Sequence, residues 1–283
     1  MVDGYSPSTF EEALKILNKE DVIIYAGGSD LMVKNKNSAS LLPRFNKNLL
    51  YVGNLNLLKE IKEYDNKIEI GSACTLTSIL KIEGVPKILK ESIRNIASPA
   101  IRNMATIGGN ICNASPAGDT LPILYALEAK LKLASINSMR EVNIKDFILG
   151  PGKIILKDNE ILESILIEKE NFNKIYYQKV GARKASAISK ISFVALAKVE
   201  NQKIKDIRIA IGSVGPRIVR LKEGEDILIG TELKNIENLM LQVEKVYSEK
   251  VVPINDQRST AIYRKKVVLR LIQYFLNIEL KKN

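Results

Sequence analysis

The chain of 283 residues contains no histidine and no tryptophan. Without imidazole there is no Ser-His-Asp triad, no Cys-His pair, no histidine metal site and no side chain that ordinarily titrates near neutrality. Cysteine is scarce as well. Cys74 and Cys112 are too few to staple a secreted fold, and they form no CxxC pair for zinc or an iron–sulfur cluster, so no metal site is expected. No apolar run approaches the roughly 18 residues of a membrane span. The opening Met1-Val2-Asp3-Gly4-Tyr5 lacks a basic region leading into an apolar stretch, so a cytoplasmic location is expected rather than secretion. Any chemistry must run on a bound cofactor or on other side chains.

What is present is ordinary globular composition, 46% apolar and 27% charged, with ample material for a core. The length suggests about two domains. Lys and Arg number 43 against 32 acidic residues, a net charge of +11. That balance suits nucleic acid, an acidic partner or an anionic ligand such as phosphate. The lysines are scattered, as in Lys59-Glu60-Ile61-Lys62-Glu63, and no block of five or six like charges reads as a nucleic-acid tail. Aromatics are only 6% and no recognition motif occurs, so nucleic acid is not an expected partner.

The pattern along the chain is mixed helix and strand. Ser8 opens a helix to Leu17 with a capping box, accepting from the Glu11 amide while the Glu11 carboxylate reaches back; Phe10, Leu14 and Leu17 repeat at helical spacing. Val22 to Ala26 reads as a buried strand stopped by Gly27-Gly28, and Leu49 to Val52 as a second strand. Ile61 to Ile70 reads as a hairpin turning at Asp65-Asn66. Thr75 caps a helix to Glu83, and Pro86 starts another, with Leu89, Ile93 and Ile96 on one face, that must stop near Ser98-Pro99. Asp119 begins a helix through Leu127, and strands at Leu131–Ala134 and Arg140–Ile144 flank an Asn137-Ser138 turn. From about residue 165 three strands follow, Tyr176–Val180, Phe193–Val199 and Ile207–Val214. Helices at Ile236–Ser248 and Ser259–Leu276 come last, the latter with Ile262, Val268, Leu269, Ile272 and Phe275 as its buried stripe. Strands followed by helices indicate α+β architecture.

Two glycine-centred segments stand out: Ala26-Gly27-Gly28-Ser29-Asp30-Leu31, directly after a strand, and Thr106-Ile107-Gly108-Gly109-Asn110, about 80 residues later. Glycine pairs allow positive φ and a close backbone approach to a ligand. Successive amides in such turns make a concave nest for phosphate oxygens. Ser29 and Thr106 add hydroxyls, so the two segments can clamp one diphosphate from two sides. Neither matches G-x-G-x-x-G or a P-loop, so a Rossmann or Walker site is not supported.

The wording around these glycines resembles the FAD-binding subunit of the molybdenum hydroxylases, the family of xanthine dehydrogenase, nicotinate dehydrogenase and the carbon monoxide dehydrogenase medium subunit. The segments that carry it are Ala26 to Leu31, Ile101 to Ile111 and Asn113 to Asp119. Weaker ones run in the right order from Tyr5-x-Pro7-x-Thr9 through Lys179-Val180-Gly181 and Gly212 to Pro216 to Asp256-Gln257-Arg258-Ser259-Thr260.

The resemblance implies the flavin-binding (PCMH-type) fold shared with vanillyl-alcohol oxidase. It consists of two α+β subdomains, about 1–53 and 54–168, followed by a C-terminal α+β domain of three strands and helices over 169–283. It implies non-covalent FAD, with Ile24, Tyr25, Ala26, Gly27, Gly28, Ser29, Asp30 and Leu31 around the diphosphate. Thr106, Ile107, Gly108, Gly109 and Asn110 would hold the diphosphate and ribityl region from the other side. Asp119 would bond cofactor hydroxyls, Leu162 would pack on the flavin and Lys179 would lie near the ring or its dinucleotide. Ile96 stands where some relatives carry an aromatic beside the flavin. No catalytic acid or base is required. Electrons from 2Fe–2S clusters on a small subunit, fed by a molybdopterin-binding large subunit, would pass through FAD to NAD+ or another acceptor, in a dimer of heterotrimers. The organic substrate would be chosen on the molybdenum chain. The rivals are a stand-alone flavin oxidase of the same fold and a basic nucleic-acid-binding protein.

Overall fold

Thr9, not Ser8, caps the first helix of the chain, Phe10–Lys19: its Oγ1 accepts from the Glu12 amide at 3.1 Å. The Glu12 carboxylate in turn accepts from both the amide and the hydroxyl of Ser8, at 2.7 and 2.9 Å. The capping logic therefore holds one residue later than the sequence pattern suggests. Thr9-x-x-Glu12 offers the same chemistry as Ser8-x-x-Glu11, and this register turns Ala13, Leu14 and Leu17 inward. The computed structural model describes residues 2–36, 38 and 41–282; Met1 and Asn283, the ends of the expected domains, lie outside them.

Two compact units divide the chain, and they do not follow its order. The first comprises Met1–Val85, Ala97–Ala114 and Glu128–Lys169; the second comprises Pro86–Ile96, Ser115–Leu127 and Glu170–Asn283.

In the first unit, β1 (Gly4–Tyr5), β2 (Val22–Tyr25) and β3 (Asn48–Tyr51) form a parallel sheet in the order β1-β3-β2. Ala13, Leu14 and Leu17 of the helix pack with Leu50, Val52, Leu55 and Leu58. Strand β2 ends at Tyr25, and all four of its residues are only partly buried, in contrast to the buried strand its apolar run predicts. The reason is that Val22 and Ile24 line a cavity.

An antiparallel sheet completes this unit. The expected hairpin is β4 (Ile61–Glu63) and β5 (Lys67–Gly71), closed by the Tyr64 amide on Lys67 O at 2.9 Å. Strands β6 (Lys130–Ala134) and β7 (Met139–Asn143) are also present, and a small ladder joins β8 (Ile148–Gly150) to β9 (Lys153–Ile154). Sequence periodicity missed β10 (Ile161–Glu168), the middle strand of the order β4-β5-β10-β6-β7. A central strand buried on both faces reads as an apolar run without clean alternation, here Ile161, Leu162, Ile165, Leu166 and Ile167.

Short helices carry the chain between these sheets. Thr75 caps Leu76–Leu80 through the Ser78 amide, and that helix ends short of Glu83. Ser98 caps a helix, Pro99–Met104, that the sequence reading lacks. Pro99 stops nothing; it occupies a first-turn position where its missing N–H is harmless. Thr106 caps Ile107–Cys112.

The second unit is built on β11 (Lys174–Val180), β12 (Ile191–Glu200), β13 (Lys203–Gly212) and β14 (Val219–Arg220), antiparallel in that order. Four strands replace the expected three, because a two-residue edge strand carries no periodic signal. Helix Lys87–Arg94 ends earlier than expected, leaving Ile96 beyond it, and lies against β11; Leu121–Ala126 lies against β12 and β13. Helices Ile236–Lys250 and Ala261–Tyr274 close a core with Phe193, Ile209, Tyr247, Val268, Ile272 and Phe275. Ile262 leaves the expected stripe and is 70% exposed, since the buried face runs through Arg264, Val268 and Ile272, and Ile262, two residues before Arg264, falls on the opposite side of the helix.

Candidate functional site

A cavity of about 450 Å³ opens in the first unit. That lies within the roughly 300–1,000 Å³ usual for ligand pockets. Ile24 through Leu31 line it without a break, joined by Thr106, Gly108, Gly109, Asn110 and Leu162. Segments 80 residues apart in the chain thus share one wall-lined space. Ile107 does not line it: the side chain is fully buried and the amide donates to Cys74 O at 3.0 Å.

The glycines allow this convergence for different reasons. A Cβ on Gly27 would stand 2.0 Å from Met104 O, and one on Gly108 would stand 2.6 Å from Ser72 Cβ, so both positions exist for close backbone approach. Of Gly27, Gly28, Gly108 and Gly109, only Gly28 needs the left-handed region, at φ +66°. The expectation that both segments turn through positive φ is corrected here: Gly108 and Gly109 lie in the first turn of helix Ile107–Cys112.

Hydrogen-bond accounting separates the segments further. Ile107, Gly108, Gly109 and Asn110 donate their amides to Cys74 O, Ser72 O, Thr106 Oγ1 and Thr106 O, respectively. Those donors are committed within the protein. The amides of Gly27, Gly28, Ser29 and Asp30 have no acceptor among the described residues. Polar backbone groups seek partners, so an uncommitted run in a cavity wall is a ready anion cradle. Only the first segment forms the nest; the second contributes the Thr106 hydroxyl and a glycine surface.

Lining residues that the sequence reading missed include Lys34, Asn113 and a third segment from Gly152 to Glu160. Asn113 Nδ2 donates to Asp30 Oδ2 at 3.0 Å, and the Lys34 ammonium donates to Asn113 Oδ1. The i,i+4 spacing of Asp30 and Lys34 was the available signal. Arg140 clamps Glu160 with two bonds of 2.7 and 2.8 Å, and the Lys157 amide adds a third at 2.9 Å. The Arg140 guanidinium thereby holds the Glu160 carboxyl below its ordinary range. Cys112 also lines the cavity, and burial pushes its thiol up to about 12.

Ile96, Asp119 and Lys179 belong to the second unit. Lys179, on β11, lies 2.7 Å from Asp119 Oδ2 and 2.8 Å from Asn95 O. The other Asp119 oxygen accepts from the Ser189 hydroxyl. Asp119 is not the helix cap that its position suggested; Thr120 stands there. Burial pushes the Asp119 carboxyl above its ordinary range, with the Lys179 ammonium and the Ser189 hydroxyl acting against it. Lys179 is correspondingly no solvated strand residue, its side chain being 10% exposed.

Comparison with known proteins joins these observations. Residues 1–168 match the family described as FAD binding domain in molybdopterin dehydrogenase, and residues 176–278 match the CO dehydrogenase flavoprotein C-terminal domain. The chain belongs to the FAD-binding medium subunits of the molybdenum hydroxylases. It is 29% identical over 263 residues to the glyceraldehyde dehydrogenase medium chain of Sulfolobus acidocaldarius, covering 92% of each chain. To the nicotinate dehydrogenase FAD-subunit of Eubacterium barkeri it is 28% identical, covering 93% of this chain and 91% of that one. Its fold matches a chain of reconstituted CO dehydrogenase from Oligotropha carboxidovorans with a TM-score of 0.88 at 21% identity, covering 100% of this chain and 99% of that one.

For a flavoprotein subunit the cavity has a suitable donor set: uncommitted amides for an anionic bridge, and the apolar Val22, Ile24, Ile154 and Leu162 for a flat ring system. Among the described residues no group of three His, Cys, Asp or Glu side chains could hold a metal ion, and no helix is long and apolar enough to cross a membrane.

Proposed function

We propose that this subunit holds FAD without a covalent bond and serves as the exit for electrons that arrive from 2Fe–2S clusters on a small partner chain. The acceptor is NAD+ or another two-electron oxidant. The carrying observation is the run of uncommitted amides from Gly27 to Asp30 in the same cavity wall as Thr106, Gly108 and Gly109.

The chemistry supplied by bound flavin is exchange between one-electron and two-electron carriers. The chain's residues bind and orient. Ile24 to Leu31 wrap the diphosphate through their backbone, Ser29 and Thr106 add hydroxyl donors, and Gly108, Gly109 and Asn110 give the cofactor a close backbone surface over the buried Ile107. Leu162 excludes water from the ring. By the family resemblance we also assign cofactor contacts to Asp119, Lys179 and Ile96, which the second unit carries. Each carboxylate oxygen keeps a second lone pair, so Asp119 can accept from a cofactor hydroxyl while bonded to Lys179 and Ser189. No side chain is needed as a proton donor or base, in keeping with a chain that lacks histidine. A covalent link through histidine is impossible, and Cys112, with its thiol held at about 12, is a poor nucleophile.

The flavin part spans 1–168 and the C-terminal part 169–283. The working assembly is a cytoplasmic dimer of heterotrimers with a 2Fe–2S small subunit and a molybdopterin-binding large subunit that selects the organic substrate. The test is direct. Purified subunit titrated with FAD should acquire the visible bands of oxidised bound flavin, and acid precipitation should release all of it; no binding removes the reading. A tagged subunit should co-purify with a cluster-bearing and a molybdenum-bearing chain.

A further inference from the structure

Asp30, Asn113 and Lys34 form a hydrogen-bonded chain at the cavity. All three residues line the cavity, and Asp30 closes the run of uncommitted amides. Asn113 is the bridge: its amide nitrogen donates to Asp30 and its carbonyl accepts from Lys34, over 83 and 79 residues of sequence. An amide used at both ends fixes its own orientation and leaves the ammonium at one place on the wall. One of three ammonium donors is spent on Asn113, which leaves two. Asp30 alone would repel an anion held by the Gly27–Asp30 amides; Lys34, one helical turn on, offsets that charge.

We propose that Lys34 is the cation that meets the diphosphate of the bound dinucleotide, with Asn113, anchored on Asp30, as its positioning residue. This rests on the FAD reading above. A charge-assisted bond to a phosphate oxygen is among the stronger contacts a side chain makes. Lys157 lines the same cavity outside the glycine loop, beside Asp158 and Glu160, and serves as the internal control.

The test uses the intact subunit, with FAD titrated by flavin fluorescence and ADP measured by competition against it. Lys34→Met is expected to weaken both ligands about tenfold and to flatten the salt dependence of ADP binding. Lys34→Arg should restore affinity to within about threefold, because the charge and donors return. Lys157→Met should change either ligand by less than about threefold. Asn113→Ala, which frees the ammonium but keeps its charge, should weaken ADP about threefold with the salt dependence intact. Wild-type affinity in Lys34→Met, or equal losses in Lys34→Met and Lys157→Met, overturns the proposal. Failure of the wild-type subunit to bind FAD at all would instead overturn the flavin reading, so the two failures are distinguishable. Circular dichroism and urea unfolding of each variant check that affinity is not lost through unfolding.

Discussion

The Lys179 ammonium lies 2.7 Å from Asp119 Oδ2, and the two side chains are only 10% and 7% exposed. Truncating one member of such a pair leaves the other charge buried, which costs about 3 kcal/mol or more. Lys179→Met should therefore lower unfolding stability by about 3 kcal/mol in the flavin-free subunit. The double exchange Asp119→Asn, Lys179→Met should cost clearly less than the sum of the single ones. Urea unfolding of the four proteins measures this; additive losses would show that the pair is not energetically coupled.

Gly27 tolerates no side chain, because a Cβ there would meet the Met104 carbonyl at 2.0 Å. Gly27→Ala should cost about 1–3 kcal/mol through forced backbone displacement, and FAD affinity should fall with it. Gly150→Ala, where a Cβ meets nothing within 4 Å, is the neutral comparison. Thermal denaturation and flavin titration of both variants decide the matter.

Acid should unfold this protein partly through Asp256. Burial favours its neutral form, but the guanidinium groups of Arg264 and Arg258 and the amides of Arg258 and Ser259 outweigh that, holding the carboxyl well below its ordinary range. Arg264 is bonded to it at 2.6 Å and is itself 2% exposed. A depressed folded-state value contributes stability above the unfolded value, near 3.9, and loses it as pH falls. Asp256→Asn should cost about 3 kcal/mol at neutral pH by leaving Arg264 uncompensated. The variant should also show a flatter loss of stability than wild type below about pH 5. A parallel pair of pH–stability curves would contradict the assignment.

Neither thiol should react readily in the folded protein. Burial pushes Cys74 up to about 11 and Cys112 up to about 12, and the Cys74 thiol donates to Lys59 O at 3.1 Å. Aromatic disulfide reagent at pH 8 should label both cysteines only after unfolding. Rapid labelling of native Cys112 would show that its thiolate is accessible from the cavity.

Much of the local structure is legible from short-range pattern. Phe10, Leu14 and Leu17 mark a helix, Thr75 caps the next as expected, and the hairpin turns near Asp65-Asn66. The errors have local causes too. Two adjacent capping boxes let Thr9 replace Ser8, and Pro99, read as a stop, starts a helix instead. Strand β10 was hidden because burial on both faces erases the alternation by which strands are read. Of the cavity lining, Ile24 to Leu31 and Thr106, Gly108, Gly109 and Asn110 were visible in the order of their residues, whereas Lys34 and the segment from Gly152 to Glu160 carry no comparable pattern.

The amino-acid order by itself narrowed the class of chemistry: with no histidine and no CxxC pair, it had to run on a bound cofactor or on other side chains. It also marked the two glycine pairs as places of close backbone approach; that Gly27 abuts Met104 and Gly108 abuts Ser72 came from the structure. Only the tertiary structure decided which donors stay uncommitted, since the Gly108 amide is taken by Ser72 O while those from Gly27 to Asp30 are left over. It alone paired Lys179 with Asp119 across 60 residues and Asn113 with Asp30 across 83. Helix and strand periodicities arise between neighbours and are written in the local sequence. A hydrogen-bond partner dozens of residues away is chosen by the path of the whole chain.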